Sequence, residues 1–398
     1  MKRLVLSTVS LSMLAAAGAA SAQNSVTLYG VIDESITYVN HANLNGDHLF
    51  ALGNSSAGDL AGTRFGMKGN EDLGGGLSAI FTLEGGFDPS TGKSQQGNTL
   101  FGRQSFVGLQ SNQWGTVTFG KQYDPVVDLV QPITEDNYFG SIFATPGDVD
   151  NYDNSSRTTN AIKYLSPTIA GFQVEGMYAL GGVAGTTGSG QTWSVAAAYN
   201  NGPIGLAAGY WVADNSNASL GLRNGWSTGA TSTGTFDGDL VNGSYASAKS
   251  IAVARVAGQY VFNAFTFGLS YSNAMYRADG ASRFGSTEKF NAGSAFVNYQ
   301  VTPALLVGGG YTYTKSDGDT SAIYNQGSLG ADYSLSKRTD VYLVGAYQHA
   351  SGQTGYLPDT LLPTSTVTSG PASASIGSYG YPGTSEQIMV ALGIRTRF

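Results

Sequence analysis

Apolar and polar residues alternate with a period of two along nearly the whole chain. Over 385–398, Ile388, Val390, Leu392, Ile394, Thr396 and Phe398 fall on one face. Gln387, Met389, Ala391, Gly393, Arg395 and Arg397 fall on the other. A strand with this pattern can set one face against hydrocarbon and the other against water. Ala79, Phe81, Leu83 and Phe87 alternate in the same way with Ser78, Thr82 and Glu84, and Val117 and Phe119 with Thr116 and Thr118. Spacing that would build amphipathic helices is almost absent.

The connections between these strands alternate in length. Short, turn-like ones fall at 71–75, 111–115, 166–171, 200–203, 262–264, 301–303 and 335–338. Long polar ones fall at 40–61, 88–99, 124–156, 181–190, 214–248, 277–287, 316–321 and 351–384. Seven turns and eight loops make fifteen connections and sixteen strands. An even strand number, with both chain ends on the short-turn side, is the plan of an outer-membrane barrel. Closure leaves no unpaired strand edge against lipid. The expected fold is therefore all-β: one transmembrane, 16-stranded, antiparallel up-and-down barrel. A soluble sandwich would carry turns of similar length at both ends. Such a barrel encloses water rather than a packed core. Tyr29, Tyr38, Tyr123, Tyr164, Tyr199, Tyr210, Tyr260, Tyr299, Tyr311 and Tyr342 recur near strand ends, where interface girdles place amphipathic rings.

The first residues read differently. Lys2 and Arg3 precede an apolar run from Leu4 to Ala19, and Ala20-Ser21-Ala22 is a small-residue cleavage signal. Residues 1–22 are expected to be a cleaved secretory signal peptide, and 23–398 a single barrel domain. Composition narrows the classes further. The 56 glycines in 398 residues are roughly twice the ordinary share, and the 12% of charged residues roughly half of it. The absence of Cys excludes a disulfide scaffold and thiolate metal sites. A net charge of −7 disfavours a nucleic-acid partner.

The candidate chemistry is electrostatic. The third long loop, 124–156, carries Asp124, Asp128, Glu135, Asp136, Asp148, Asp150 and Asp153 with no Lys or Arg. It also holds Pro125, Pro132, Pro146, Tyr138, Phe139, Phe143 and Tyr152. So apolar a loop suits packing inside the barrel, where its acids would act on passing ions. Basic residues sit on nearby strands. Arg64 and Lys68 share a face opposite Phe65 and Met67. Arg103 shares one with Ser105, against Gln104 and Phe106. Arg157 and Lys163 share one with Thr159 and Ala161. A charge facing lipid costs up to a few kcal/mol at the midplane, so these bases are expected to point inward. A basic wall facing an acidic loop sets a transverse field across a narrow opening. Two charges break the pattern. Lys121 shares parity with Val117 and Phe119, so it faces outward, toward a neighbouring subunit. Glu34 lies on the face of Ile32 and Ile36, and alternation gives no reason for an acid there.

Ser25-Val-Thr-Leu-Tyr-Gly-Val-Ile-Asp33, Arg103-Gln-Ser-Phe-Val-Gly-Leu109, Gly115-Thr-Val-Thr-Phe-Gly-Lys-Gln-Tyr-Asp-Pro125 and the terminal Phe398 resemble the Gram-negative general porins of the beta-proteobacterial branch. The matches run through the chain in order. The resemblance implies a homotrimer in the outer membrane, among lipid and lipopolysaccharide, with both termini periplasmic. It also implies passive diffusion of small hydrophilic solutes and ions, without cofactor or metal. In that family a loop folds inward as an eyelet against a basic cluster on the wall. Carried over, the cluster falls on Arg64, Arg103 and Arg157, with Lys163 and Lys68 as further candidates. The loop carries over as 124–156, with Asp124, Asp128, Glu135, Asp136 and Asp148 as its candidate acids. Phe398 resembles the terminal aromatic read by the barrel-insertion machinery.

Three other functions compete. A channel selective for sugar, phosphate or organic acid would need an aromatic track or extra arginines along the lumen. A barrel enzyme would need a Ser/His or Asp/His pair at the rim or outer wall, and His41, His48 and His349 fall in or near loops. An adhesin with a plugged lumen would need a folded segment before the first strand. Gly225-Trp-Ser227-Thr-Gly229 matches a nucleophile elbow but lies in a Ser/Thr/Gly-rich loop without the strand–turn–helix context. The paired acids Asp47 and Asp59 have no evident buried context to shift their ionisation. Total charge leaves the ion preference open, because selectivity is set at the narrowest ring.

Overall fold

A computed structural model describes residues 24–398 except 54–58, 98, 183, 186–187, 216–240, 357–365 and 382. The signal-peptide segment and the 225–229 motif lie outside the described residues. Sixteen strands form the wall. The first eight are β1 (Ser25–Val39), β2 (Arg64–Gly74), β3 (Leu77–Gly86), β4 (Gln104–Ser111), β5 (Gly115–Gln122), β6 (Thr158–Leu165), β7 (Phe172–Ala179) and β8 (Thr192–Asn201). The second eight are β9 (Ile204–Asp214), β10 (Ser250–Phe262), β11 (Phe265–Arg277), β12 (Glu288–Thr302), β13 (Leu305–Asp317), β14 (Ser321–Ser334), β15 (Thr339–Tyr356) and β16 (Glu386–Arg397). Each pairs antiparallel with its neighbours, and β1 closes the barrel on β16 from Val31↔Arg397 to Val39↔Met389. Two short strands, Leu49–Gly53 and Thr368–Pro371, add to β1 and β15 within the first and last long loops.

The alternation read from the sequence becomes an inside and an outside. On β1, Asp33, Ser35 and Thr37 are buried while Ile32 and Ile36 are exposed. On β16, Gln387, Met389 and Ala391 are buried while Ile388, Val390, Leu392 and Ile394 are exposed. An apolar face exposed over so many strands is what lipid contact requires. The chain end completes the closure. Phe398 exchanges two backbone hydrogen bonds of 3.1 Å with Gly30. Its ring lies where a Gly30 side chain would stand, 2.3 Å from an added Cβ, so only glycine lets the seam close.

Three expectations need correction. The connection over 316–321 is no long loop: β13 runs to Asp317 and β14 begins at Ser321. Tyr29, Tyr123 and Tyr342 are not girdle residues, because their hydroxyls turn inward to carboxylates: Tyr29 and Tyr123 to Glu84, both at 2.8 Å, and Tyr342 to Asp33 at 2.5 Å. Tyr164, Tyr260, Tyr299 and Tyr311 remain exposed on the outer wall. Asp59 is fully buried rather than solvated. It packs beside Asp33 and accepts from the Ser35 hydroxyl, and burial with the neighbouring Asp33 carboxylate pushes it up to about 7.

Candidate pore constriction

The connection from β5 to β6 is built to leave the wall and pack inside. Asp124 opens it as a helix cap, accepting from Val126 N at 2.8 Å and Val127 N at 3.3 Å. Pro125 occupies the first turn, where its missing N–H costs nothing. The resulting helix, α1 (Pro125–Leu129), lies against β8 and β9. A second short helix, α2 (Asp136–Phe139), ends at Gly140, whose φ of +72° reverses the chain. There the Ser141 N–H donates to Asp59 O at 2.9 Å, tying the third long loop to the first.

Side chains from the far wall hold the rest. The Gln326 amide donates to Ile142 O at 2.9 Å, Tyr276 Oη to Val149 O at 2.8 Å, and the Asn298 amide to Glu135 at 3.1 Å. Arg255 pairs with Asp150 at 3.2 Å and donates to its backbone oxygen at 2.7 Å. Phe139 presses its ring on the wall where Gly308 and Gly330 leave room. An added Cβ would stand 2.5 Å and 2.4 Å from that ring. Gly330→Val should therefore expel Phe139, at an overpacking cost of about 1–3 kcal/mol. The expected readout is faster proteolysis within 130–150 of the folded protein, and an unchanged cleavage rate would sink the seating argument.

On the opposite side the wall is basic. Glu84 on β3 organises it. Arg103 Nε lies 2.9 Å from Glu84, Arg64 Nε lies 3.7 Å away, and Arg103 Nη2 donates to Tyr123 Oη at 2.9 Å. Arg103 and Arg157 each stand 5.8 Å from the centre of the Tyr123 ring. Arg395 and Arg397 extend the row from β16, paired with Asp340 at 3.0 and 2.8 Å. Between this wall and the loop lies a polar opening of about 360 Å³. Arg64, Arg103, Arg157, Arg395 and Arg397 line it, and the loop contributes Asp136 and Asp153.

The candidate residues separate by position. Arg64, Arg103, Arg157 and Asp136 come together at the opening. Lys163 turns to Asp128 and to Glu175, the latter at 3.1 Å, and Lys68 lies over the Tyr29 ring at 4.5 Å. Asp124 caps its helix. Glu135 is buried against Asn298, and Asp148 accepts from the Asp153 and Ser155 backbone N–H groups at 2.9 and 3.2 Å. Arg103 points into the lumen as expected, but it does not share its face with Ser105. Glu84 pairs with Gln104 and Leu83 with Ser105, so Gln104 and Phe106 face inward and Ser105 outward. Arg103 reaches the lumen because it precedes β4, where strand parity no longer applies. Glu84, Arg255, Arg395 and Arg397 were missed, and Asp153 was named only as one of the loop's acids. Arg395, Arg397 and Glu84 did lie on the polar faces of their strands.

Burial shapes the charge of the loop. It pushes Asp136 and Asp153 up to about 7, Asp148 to about 8 and Glu135 to about 9. The acids beside the opening thus ionise only near or above neutrality.

The family model for Gram-negative porins matches residues 7–353. An outer membrane porin of Bordetella pertussis is 31% identical over 83% of this chain and 90% of its own length. The major outer membrane protein P.IB of Neisseria gonorrhoeae is 27% identical over 87% of this chain and 94% of its own. Among solved structures, an anion-selective porin from Comamonas acidovorans superposes with a TM-score of 0.67 at 24% identity, over 94% of this chain and all of that one. With a closed 16-stranded barrel and an apolar outer face, the chain belongs to the Gram-negative porin family and is an outer-membrane channel for passive diffusion.

Proposed function

We propose that the opening between the arginine row and the third loop is the constriction of this channel, and that it favours small anions. The observation that carries this reading is the charge count at one narrow place. Five arginines line the opening. Asp340 and Asp332 offset Arg395 and Arg397, and Glu84 offsets Arg64 and Arg103, so five guanidinium groups stand against three wall carboxylates. The wall therefore keeps a surplus of positive charge. In a narrow, low-dielectric passage such a surplus sets the sign of the favoured ion. The same surplus favours phosphate or carboxylate solutes over sugars.

The reading extends to the assembly and its surroundings. The protein forms a homotrimer in the outer membrane, bordered by lipid and lipopolysaccharide. Both termini face the periplasm, residues 1–22 are removed on export, and Phe398 presents the C-terminal strand to the insertion machinery.

The test is a planar bilayer with purified protein in a KCl gradient. Large ohmic steps that close in thirds at high voltage, with a reversal potential of anion-preferring sign, are expected. A cation-preferring sign overturns the arginine reading, and silence from folded protein overturns the open pore. A pH profile adds a second prediction. Asp136 and Asp153 lie at about 7 because burial favours their neutral form. Below neutrality they add little negative charge, and above it they oppose the arginines. Anion preference should be strongest near pH 5.5 and decline by about pH 8.5, read from the same reversal potential. A flat profile would remove the loop acids from the constriction.

A further inference from the structure

Two ionisable side chains stand outward among exposed aliphatic residues, whereas the outward Lys289, Lys315, Asp317 and Glu386 lie near the loop ends of their strands. Glu34 points outward between Ile32 and Ile36, opposite Ile394 of β16, all three exposed. Lys121 points outward beside Phe119, and its partner across the sheet is Ser105, next to the exposed Val107. Within the protomer Glu34 Oε2 accepts from Ser90 Oγ of the second long loop at 2.9 Å, and Oε1 is buried without a partner. Among the described residues Lys121 meets no acceptor. Opposite charges left in a hydrocarbon band point to protein rather than lipid as their neighbour.

They cannot satisfy each other within one barrel. Glu34 is on β1 and Lys121 on β5, four strands away, roughly 19 Å at ~4.8 Å per strand. They do stand at one height. Lys121 pairs with Ser105, Ser105 with Leu83, Leu83 with Met67 and Met67 with Leu28 of β1. That line climbs away from the short turns as it leaves β1. Ser25, the first residue of β1, pairs with Asn70, while β2 continues to Gly74 at its turn end. At a strand tilt of about 40°, four steps lift the line by ~12 Å, about five residues of β1. Lys121 therefore stands level with Asp33 and Glu34.

Rotation about an axis along the membrane normal preserves height. In a closed three-fold ring the two contact lines of one protomer lie about 60° apart. Four strands of sixteen subtend about 90°, so residues 34 and 121 flank the two contact lines nearly symmetrically. We propose that Glu34 of one protomer pairs with Lys121 of the next, three times around the ring, sealing the trimer at the level of the pore arginines. This rests on the trimer proposed above. The outward face from β1 to β5 is then buried between copies, and the faces of the other strands meet lipid.

The chain has no Cys, so a disulfide can report the contact directly. Glu34→Cys/Lys121→Cys is refolded and oxidised, beside each single variant and the wild type. A ladder of covalent dimer and trimer from the double variant alone is expected. Light scattering of the same samples gives the oligomeric state. A trimer without cross-links overturns the pairing and leaves the trimer standing, whereas a monomer overturns both. As a check independent of cysteine, the swap Glu34→Lys/Lys121→Glu should regain the wild-type dissociation temperature on a semi-native gel, with both single charge changes lower. Failure of the swap to recover while the singles fold would equally overturn the pair.

Discussion

Replacing Arg255 by methionine is expected to loosen the third loop and give a larger, noisier channel. Arg255 and Asp150 are both buried, and the ion pair between them fixes the loop to β10 from inside. Breaking such a pair leaves a buried charge uncompensated, a loss of about 3–5 kcal/mol. The loss falls on the loop, because the wall keeps its full ladder of backbone hydrogen bonds. The other tethers persist: Gln326 to Ile142, Tyr276 to Val149 and Phe139 on its glycines. The loop is therefore displaced over 148–153 rather than released. Single-channel records should show raised mean conductance and open-state noise, and liposome swelling should admit larger uncharged solutes. Asp150→Asn added to Arg255→Met should quieten the channel in part, since it removes the buried charge while its side-chain oxygen still accepts a hydroxyl from Ser272 or Thr145. If the single variant matches wild type in noise and conductance, the pair does not hold the loop.

What the chain discloses of itself depends on which interaction decides each position. Burial on one face of a strand is a period-two property, so Gln387, Met389 and Ala391 could be assigned to the lumen, and Ile388, Val390 and Leu392 to lipid, before any coordinates. Closure is likewise legible, because an edge is forbidden in lipid. Arg103 could not be placed in this way. It precedes its strand by one residue, and the parity of Ser105 does not extend across that boundary. Nor could the acids of the third loop be ranked. Asp124, Glu135 and Asp148 look alike in sequence, yet one caps a helix, one meets Asn298 and one binds backbone N–H groups. Only the cap is set by near neighbours, Val126 and Val127; Asp148 meets backbone five and seven residues on, and Glu135 a strand 163 positions along the chain. Glu84 was visible as a polar position. Its role as the shared partner of Arg64, Arg103, Tyr29 and Tyr123 depends on the register of β1 to β4, which the sequence does not state. Asp59 was misjudged for the same reason, since its burial comes from packing between two loops and the wall.

The reversal potential should move toward cations when Arg157 is replaced by glutamine, and further when Arg64 is replaced as well. Arg157 lines the opening without sharing the short contacts that Glu84 gives Arg103, and it stands over the Tyr123 ring. Its removal takes one positive charge from the opening. For an ion passing ~8 Å away, one unit charge is worth about 2 kcal/mol at an effective dielectric of ~20. Screening over a Debye length of ~10 Å reduces this to about 1 kcal/mol. That corresponds to roughly a fivefold fall in chloride permeability and a similar rise for potassium. Arg103→Gln is expected to behave differently despite the same change in formal charge. Glu84 would lose its closest cation and Tyr123 a donor, so the wall should loosen as well as change charge. The two variants can be compared in one experiment, with the salt gradient fixed and the bulk concentration raised stepwise. Both guanidinium groups are buried, so salt should screen the two shifts alike, and Arg103→Gln should add open-channel noise as well. Noise no greater than wild type in Arg103→Gln would show that Glu84 and Tyr123 do not need Arg103 to hold their places.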